Sequence, residues 1–313
     1  MYVLGIGAAN VDVHGMSRAA IVMRDSNPGH LRTSAGGVTR NIMENLARLG
    51  VDARMVSAQG DDLFGEYVRS ESEKAGLDMS ECLVLPGVNS SSYVSILDER
   101  ADMLVAMSDM SVLEHITPDF VSTKRSLIRG AAAVICDPCL PEETLVRILD
   151  EADGVPVMLD PVSTAYAHRV TAIAGRFYAL KPNRMELAIL AGMDTDTDEG
   201  IERAAAGLIG RGTKCVAVSL GERGCYYADA EDSRFYRALR PVSEMKNATG
   251  AGDAFLAGLV YGFAQGYEPQ RAVDCALAAG LLAVESDLTI NPDMSAENLR
   301  LAILENQPLR YDL

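Results

Sequence analysis

Short apolar runs of the kind that form buried strands alternate with helical segments along most of this chain of 313 residues. Strands are predicted at residues 2–7, 54–58, 132–136, 156–159, 177–180, 215–219 and 224–228. Helices are predicted at residues 36–49, 64–75, 117–129, 142–152, 184–191, 199–211, 251–265 and 269–284. Parallel strands need long crossovers, which helices usually supply. The alternation therefore predicts an α/β fold, with a mainly parallel central sheet flanked by helices on both faces.

Two segments depart from this alternation and resemble antiparallel hairpins. Residues 11–35 contain the turn signal Asp25-Ser26-Asn27-Pro28-Gly29, and residues 89–109 hold two strand-like runs joined by a charged turn. Two excursions from one edge of a parallel sheet can cover the carboxyl ends of its strands, where open α/β sheets bind ligands. The chain is therefore divided into a core of residues 1–10, 36–88 and 110–313 and a small β lid of residues 11–35 and 89–109.

The run Asn247-Ala248-Thr249-Gly250-Ala251-Gly252-Asp253 stands directly before a helix of small residues. Its glycines let backbone N–H groups crowd toward one point, and the helix adds unpaired N–H groups and the positive end of its dipole. Such a place binds anionic oxygens. Because Asp253 puts a carboxylate at its mouth, the run favours a phosphoryl-transfer site with its own general base. In the structural alternative, Asp253 only caps or supports the first helical turn.

Polar groups follow the first strand at its carboxyl end. Asn10 and Asp12 have the spacing that suits adjacent hydroxyls of a sugar, although turn-forming Asn and Asp also occur for structural reasons. Gly36 and Gly37, with Asn41 one turn later, offer bare backbone and an amide where a polyol can approach closely. The alternative for this pair is a tight helix start, which needs only one glycine.

Two further segments follow apolar strands. The first, residues 181–186, has the spacing of a capping box, with Asn183 as N-cap and Glu186 three positions later. In the functional alternative, Asn183 and Glu186 face the cleft and organise a hydrated Mg²⁺, while Lys181 neutralises phosphate. The second, residues 219–224, is loosely glycine-rich and would supply a second backbone wall beside a nucleotide.

The charge balance narrows the possible partners. The chain carries 28 basic and 44 acidic residues, a formal net charge of −16. A surface that negative repels nucleic acid and anionic lipid, which argues against a protein that binds nucleic acid or a membrane. Small-molecule substrates are expected instead, and a bound nucleotide must be held by backbone donors and a few placed cations. The 48% of hydrophobic residues is ample for one large α/β core.

The N-terminal run lacks the basic lead and long apolar stretch of a signal peptide, and no apolar stretch approaches the roughly 20 residues that cross a bilayer. Cys136 and Cys139 have the spacing of a redox or zinc motif, but a structural thiol pair is favoured because no second pair or nearby histidine accompanies them. We therefore expect a cytoplasmic protein. The four histidines show no metal spacing and are assigned no catalytic role: His14, His30, His115 and His168.

With these segments placed, the chain resembles the ribokinase-like (phosphofructokinase B) family of sugar and nucleoside kinases. Three motifs in the family's order and spacing carry the resemblance across nearly the whole chain: Gly36-Gly37-Val38-Thr39-Arg40-Asn41 with the helix end Leu46-Ala47-Arg48-Leu49-Gly50, the element from Asn183 to Glu186, and Thr249-Gly250-Ala251-Gly252-Asp253-Ala254-Phe255. The resemblance implies a Rossmann-like core, a β lid that often dimerises, ATP as phosphoryl donor and Mg²⁺ as cofactor.

The resemblance also implies a role for each candidate residue. Asp253 would take the proton from the acceptor's primary hydroxyl, and Gly250, Ala251 and Gly252 would hold the migrating phosphoryl group. Asn183 and Glu186 would position Mg²⁺, through water. The residues implied to bind the acceptor's hydroxyls are Asn10, Asp12, Gly36, Gly37 and Asn41, and those implied to bind the nucleotide are Lys181, Ser219, Gly221, Gly224 and Thr249.

Parts of the chain are more closely similar to the subgroup of this family that phosphorylates pseudouridine, which implies transfer to the 5′-hydroxyl of that nucleoside. Ser26, Asn27, Ser91 and Ser92 are candidates to read the uracil edge. A kinase for another ribonucleoside or sugar is the first alternative, and a non-enzymatic sugar or nucleotide sensor is the second. Asp253 argues against the sensor, since binding alone needs no base. The similar segments are residues 25–29, 89–93, 103–110 and 180–184.

One position departs from the family's pattern. Many relatives carry Asp where this chain has Asn247, and that carboxylate helps to hold a monovalent cation behind the anion site. A neutral amide is a poorer ligand for a hard cation. The resemblance therefore leaves activation by K⁺ open, with backbone oxygens near residues 285–291 as alternative ligands.

Overall fold

The computed structural model describes residues 1–100, 102–240, 245–306 and 309–311. These residues form fifteen strands: β1 (Tyr2–Ile6), β2 (Asn10–Ser17), β3 (Gly29–Gly36), β4 (Asp52–Val56), β5 (Ala58–Gly60), β6 (Leu83–Leu85), β7 (Ser92–Leu97), β8 (Met103–Asp109), β9 (Ala133–Cys136), β10 (Val157–Leu159), β11 (Ala179–Leu180), β12 (Cys215–Ser219), β13 (Cys225–Asp229), β14 (Arg234–Ala238) and β15 (Leu309–Tyr311).

The same residues form eleven α-helices. They are α1 (Val38–Arg48), α2 (Leu63–Lys74), α3 (Pro118–Thr123), α4 (Arg125–Arg129), α5 (Glu142–Ala152), α6 (Thr164–Ala167), α7 (Arg184–Ala191), α8 (Asp198–Gly210), α9 (Ala251–Ala264), α10 (Pro269–Val284) and α11 (Ala296–Glu305). Within the described part of the chain, none of the helices is long and apolar enough to cross a bilayer.

The central sheet has the strand order β15-β14-β13-β12-β11-β10-β9-β1-β4. Neighbouring strands pair in parallel along the six-strand part β12-β11-β10-β9-β1-β4. Strands β13, β14 and β15 are added antiparallel at the β12 end. The carboxyl ends of the parallel strands therefore lie along one edge, which is where doubly wound sheets bind ligands. This topology confirms the predicted mainly parallel sheet.

A second, smaller sheet has the order β3-β2-β7-β8, and we call it the lid sheet. Strand β2 pairs antiparallel with β3, residue by residue from Asn10↔Gly36 to Ser17↔Gly29. Strand β7 pairs antiparallel with β8, and parallel pairing of β2 with β7 joins the two hairpins. Both segments that depart from the strand–helix alternation thus contribute to one sheet.

Hydrophobic cores cover both faces of the central sheet. In β1, Val3 belongs to a core that includes residues of α1, α9 and α10, whereas Leu4 and Ile6 belong to a core with α5, α7 and α8. Successive side chains of a strand point to opposite faces, so a strand covered on both sides is apolar throughout. This packing fixes the N-termini of α1 and α9 next to the carboxyl edge of the sheet.

Several elements differ from the prediction. The helix predicted at 117–129 is two short helices, α3 and α4, which meet at Lys124 in a conformation outside the helical region. Strands β5, β6, β14 and β15 and helix α11 were not predicted. Strands β5, β6 and β15 have only three residues each, which is too short for hydrophobic periodicity to mark them. All six cysteines fall within the described residues and are free thiols, and burial raises the pKa of both Cys136 and Cys139.

Candidate active site

The loop before α9 leads directly into the helix N-terminus. Gly250 is the N-cap and has φ +81°, a left-handed conformation that favours glycine, and a Cβ atom there would overlap the carbonyl oxygen of Thr289. Ala251 begins the 14-residue helix, so the backbone N–H groups of the first turn lack helical partners. Together with the helix dipole, these groups favour an anion at this point.

Asp253 lies in the first turn of α9 and is only 9% exposed. Asn41 Nδ2, from α1, donates to Asp253 Oδ2 at 2.8 Å. Burial and the Asp160 carboxylate raise the pKa of Asp253 to about 7, whereas the hydrogen bond from Asn41 and the charge of Lys181 lower it. A carboxylate with that pKa is matched to accepting a proton near neutral pH.

A buried lysine lies beside this helix turn. Lys181 Nζ forms an ion pair with Asp160 Oδ2 at 2.7 Å, and a Cβ atom at Gly252 would lie 2.8 Å from the same nitrogen. Burial alone would lower the pKa of Lys181, but Asp160, Asp253 and Glu186 raise it above the ordinary value. Lys181 is therefore a fixed cation against the bare backbone of Gly252, where a larger side chain would displace it.

Sequence reasoning missed two buried aspartates of this site. Asp160 is the partner of Lys181, and Asp137 Oδ2 accepts from the Ala8 N–H at 2.9 Å and from Thr39 Oγ1 at 2.6 Å. Both follow adjacent strands, β9 and β10, and both precede a proline, as Lys181 does after β11. A charged residue followed by proline at three neighbouring strand ends is the sequence signal that marks them.

Asn183 and Glu186 form a capping box at the start of α7. Asn183 Oδ1 accepts from the Glu186 N–H at 2.9 Å, and Glu186 Oε2 accepts from the Asn183 N–H at 2.8 Å. The structural alternative is thus present. Burial and the Asp160 charge raise the pKa of Glu186. A buried carboxylate short of positive charge fits Mg²⁺, which takes hard oxygen ligands and keeps several waters.

The polar residues predicted to bind the acceptor lie where the chain passes from the core to the lid sheet. Asn10 Nδ2 donates to Asp12 Oδ1 at 2.7 Å, and burial raises the pKa of Asp12. A Cβ atom at Gly36 would overlap the Asp12 carboxylate, so glycine leaves room for that side chain in its present position. Gly37 caps α1, and Asn41 follows one turn later. Asn41 therefore links this group to the carboxylate in α9.

The lid residues proposed to read a base have different surroundings. Ser26 and Asn27 lie in the loop between β2 and β3, where Ser26 is exposed and Asn27 is half-buried. Asn27 Oδ1 accepts from the Val22 N–H at 2.8 Å, and its Nδ2 donates to the carbonyls of Val22 and Asp25, both at 3.0 Å. The amide of Asn27 is thus used within its own turn. Ser91 is buried beside β2, and Ser92, half-buried, begins β7; they lie at the base of the lid sheet.

A cleft of about 760 Å³ lies between the lid sheet and the core. Side chains of the lid line one wall, among them His14, His30 and Arg32, and the other wall includes Thr249 and Thr289. The cleft therefore brings the lid together with the loop that precedes α9.

His14 is a polar residue of this cleft that sequence reasoning left without a role. It lies two positions after Asp12 on β2, so both side chains are on the same face of the lid sheet. Its Nδ1 lies 2.6 Å from Ser95 Oγ, and its ring meets Tyr93 edge-on, with ring centroids 6.4 Å apart. The period of two along a strand is the signal that places His14 beside Asp12.

The residues predicted to line a nucleotide pocket follow β12. The Ser219 N–H donates to the Pro182 carbonyl at 2.9 Å, which places Ser219 beside Asn183 in a short parallel bridge. Gly221 begins a turn of 3₁₀-helix, and Gly224 closes it in a left-handed conformation against the backbone of β14. Two of the predicted segments thus meet at adjacent strand ends.

The departure at Asn247 has a structural counterpart. Asn247 Oδ1 accepts from the Thr249 N–H at 2.9 Å and so holds the turn that precedes α9. Both residues line the cleft together with residues 287–290. The amide oxygen of Asn247 is thus engaged in the turn. Activation by K⁺ stays open, as the sequence comparison with the family left it.

A family model described as pfkB family carbohydrate kinase matches residues 2–296. The chain belongs to this family. Among curated members, pseudouridine kinase of Escherichia coli K12 is 37% identical over 306 residues, 97% of this chain and 97% of that protein. The family membership confirms the predicted resemblance and the expectation of a phosphotransferase with an alcohol group as acceptor.

Solved structures of other kinases share the fold of this chain. A putative sugar kinase from Clostridium perfringens is 34% identical, with a TM-score of 0.88 over 100% of this chain and 99% of its own. Arabidopsis thaliana ribokinase, solved with ribose and ATP, is 21% identical, with a TM-score of 0.89 over 96% of this chain and 98% of its own. The ribokinase-like fold with a small separate sheet is therefore confirmed.

Proposed function

We propose that this kinase transfers the γ-phosphoryl group of ATP to the 5′-hydroxyl of pseudouridine, forming pseudouridine 5′-phosphate and ADP. The identity of 37% to the Escherichia coli pseudouridine kinase, over nearly the full length of both chains, supports this acceptor. The observation that carries the proposal is Asp253, a buried carboxylate with a pKa of about 7 in the first turn of α9.

In the proposed reaction, Asp253 accepts the proton of the 5′-hydroxyl as that oxygen forms a bond to the γ-phosphorus. The bond from the γ-phosphorus to the bridging oxygen breaks, and its electron pair leaves with ADP. Backbone N–H groups at Gly250, Ala251 and Gly252, together with the Lys181 ammonium, stabilise the charge on the migrating group. Closure of the lid sheet would exclude water, which competes with the acceptor for the phosphoryl group.

The remaining contacts follow from the positions of the strand ends. Bound Mg²⁺ supplies neutralisation of phosphate charge, and we assign Glu186 and Asn183 to hold it through water. The ribose hydroxyls are assigned to the group at the start of the lid sheet, where hydrogen-bonding side chains surround bare backbone: Asn10, Asp12, Gly36, Gly37 and Asn41. The nucleotide is assigned to Lys181 and to the loops after β12 and before α9, through Ser219, Gly221, Gly224 and Thr249.

Recognition of the base requires a group that reads the uracil edge. Pseudouridine is a C-glycoside and carries a ring N–H where uridine has a C–H. We assign this recognition first to His14, because it lies one side-chain step beyond Asp12 on the lid face and is oriented by Ser95. The polar residues of the lid turn and of the lid base, Ser26, Asn27, Ser91 and Ser92, are further candidates.

A panel of acceptors tests the proposal. With ATP as donor, we expect the highest kcat/KM for pseudouridine among pseudouridine, uridine, inosine and ribose, with the product identified as a 5′-monophosphate by phosphorus NMR. Equal or better turnover of another acceptor would replace pseudouridine and keep the phosphotransfer chemistry. ATP binding without phosphorylation of any acceptor would instead favour the non-enzymatic sensor.

We also propose a homodimer through the lid sheet. Strand β8 is exposed along its whole length and presents Met103, Leu104, Val105 and Met107 to solvent. Val105 and Met107 lie two positions apart and pair with Ile96 and Val94 of β7, which are also exposed, so these four side chains form one exposed apolar patch. A patch of this kind marks an interaction surface. Light scattering should give twice the mass of one chain, and Val105→Glu with Met107→Glu should give a monomer. A wild-type monomer at high concentration would contradict the dimer.

The compartment we propose is the cytoplasm. The six cysteines, all within the described residues, are free thiols, and five of them are buried. Burial raises the pKa of Cys225 and Cys275, so these thiols are poor nucleophiles. A chain of this kind suits a reducing compartment.

A further inference from the structure

Arg40, in the family's first motif, is a buried cation in direct contact with a residue of the site. The residue is only 3% exposed. Its Nη1 donates to Asn41 Oδ1 at 3.1 Å and to the Ala35 carbonyl at 3.0 Å, and its Nε donates to Ser72 Oγ at 3.1 Å. Its Nη2 forms an ion pair with Glu44. The guanidinium is thus held on three sides in a fixed plane.

The orientation of the Asn41 amide decides what Asp253 meets. With the amide oxygen toward Arg40, the amide nitrogen faces Asp253 and donates to it at 2.8 Å. Rotation of the amide by half a turn would present its oxygen to the carboxylate. The two orientations have nearly the same shape, so packing alone discriminates poorly between them. The Arg40 guanidinium discriminates strongly between the two orientations, because it has only N–H donors and can bond only to the amide oxygen.

We propose that Arg40 is a positioning residue, which holds the Asn41 amide with its nitrogen toward Asp253. Arg40 acts through Asn41, and the guanidinium itself is fixed by Glu44 and Ser72. The inference rests on the base role proposed above for Asp253. A lysine cannot replace Arg40 in this role, because an ammonium lacks the planar fork that reaches several acceptors at once.

Loss of the correct Asn41 orientation has a defined consequence for Asp253. The hydrogen bond from Asn41 lowers the pKa of that carboxyl. The charged groups that face Asp253 from the neighbouring strand ends are Asp137 and Asp160, which raise its pKa, and Lys181, which lowers it. These groups remain when Arg40 is replaced. A misoriented Asn41 should therefore raise the pH at which Asp253 loses its proton.

Three variants isolate this effect. Arg40→Met removes the guanidinium, and Arg40→Lys keeps a buried cation beside Glu44 in case the first variant does not fold. Arg48→Met is the matched control, because Arg48 Nε donates to the same Glu44 at 2.8 Å but its other hydrogen bond goes to the Pro292 carbonyl. Each variant is also made with Asp253→Asn.

The readout needs no catalysis. For each pair of proteins, with and without Asp253→Asn, the difference in unfolding free energy is followed against pH, and its midpoint reports the pKa of Asp253 in the folded state. We expect Arg40→Lys and Arg40→Met to move this midpoint upward by about one pH unit, the size of a charge-assisted hydrogen bond. Arg48→Met should leave it in place.

A double-mutant cycle tests the route through Asn41. Asn41→Ala should raise the midpoint by itself, and Arg40→Lys should add nothing in that background. An unchanged midpoint in both Arg40 variants, an equal shift in Arg48→Met, or an additional shift beyond Asn41→Ala would each overturn the proposal.

Kinetics then separate the two proposals. With a phosphorylated acceptor, the acid limb of kcat/KM in Arg40→Lys should move by the same amount, so that the loss near neutral pH is recovered at about pH 9. An acid limb that stays in place while the unfolding midpoint moves would contradict the base role of Asp253 and keep the positioning role of Arg40. If no acceptor is phosphorylated, the proposed function fails, and the unfolding measurement still decides the role of Arg40.

Discussion

Lys181 Nζ lies 2.7 Å from Asp160 Oδ2 in the interior of the protein, where neither side chain is more than 6% exposed. Two further carboxylates, Asp253 and Glu186, act on the same lysine and raise its pKa. A group of one cation and three carboxylates leaves excess negative charge, and the pKa of Asp253 rises to about 7 as a result of its burial and of Asp160.

Removal of the Asp160 charge should change the pH dependence of activity. Asp253 serves as a base only when deprotonated, so kcat/KM of the wild type should fall as pH drops through about 7. Because Asp160 raises the pKa of Asp253, Asp160→Asn should move this acid limb to lower pH by roughly one pH unit. Asp150→Asn, an exposed aspartate paired with Arg176, is the control. An acid limb at the same pH in Asp160→Asn would be evidence against this coupling.

Crowding at Gly36 should weaken acceptor binding. A Cβ atom there would overlap the Asp12 carboxylate, so Gly36→Ala must displace that side chain. We expect KM for the acceptor to rise at least about tenfold, with KM for ATP within a factor of two. Gly210→Ala is the control, because a Cβ atom at Gly210 meets open space. Steady-state kinetics with each substrate varied in turn would make the comparison, and equal effects on both KM values would exclude a specific acceptor role.

Replacement of His14 should reduce selectivity more than turnover. If His14 reads the base, His14→Ala should lower kcat/KM for pseudouridine by on the order of tenfold relative to an acceptor that lacks the uracil edge, such as ribose. His115→Ala, an exposed histidine outside the lid sheet, should leave the ratio unchanged. A ratio that does not change in His14→Ala would remove this residue from base recognition.

The buried carboxylate of Asp253 should lower the free energy of unfolding at high pH. The pKa of Asp253 is raised from 3.8 to about 7 on folding, so the folded state binds a proton that the unfolded state has released between these values. The stabilisation is fully present below about pH 4 and is lost as pH rises through about 7. Asp253→Asn should therefore have a higher unfolding free energy than the wild type at about pH 8 and a similar one at about pH 4. Urea titrations of both proteins at the two pH values would measure this difference in unfolding free energy. A wild type that is more stable than Asp253→Asn at about pH 8 would contradict the raised pKa.

Much of this site could be predicted because its motifs are local. Gly250 and Asp253 lie in one loop–helix junction, and the chemistry of that junction depends on neighbours in sequence. Gly36 and Asn41 are similarly close, and the strand–helix alternation was sufficient to predict the sheet. These are features in which backbone conformation and sequence spacing determine which groups converge.

Other parts depend on contacts between distant segments. A single Asp before a proline, as at Asp160, is typical of a turn, and only the adjacency of β10 and β11 brings it to Lys181. The amide of Asn27 has the donors and the acceptor that reading a base requires, but it is used within its own turn. A role for His14 could be predicted only with knowledge of which face of the lid sheet carries Asp12. At these three positions, the pairing of strands is what the sequence left undetermined.

The central claim is that Asp253 removes the proton of the acceptor hydroxyl. The most direct measurement is the single-turnover rate of Asp253→Asn with ATP and pseudouridine, together with the affinity of the variant for ATP. We predict a rate lower by on the order of 10³-fold or more, with ATP affinity within a factor of three. A rate within tenfold of the wild type, at unchanged ATP affinity, would contradict it.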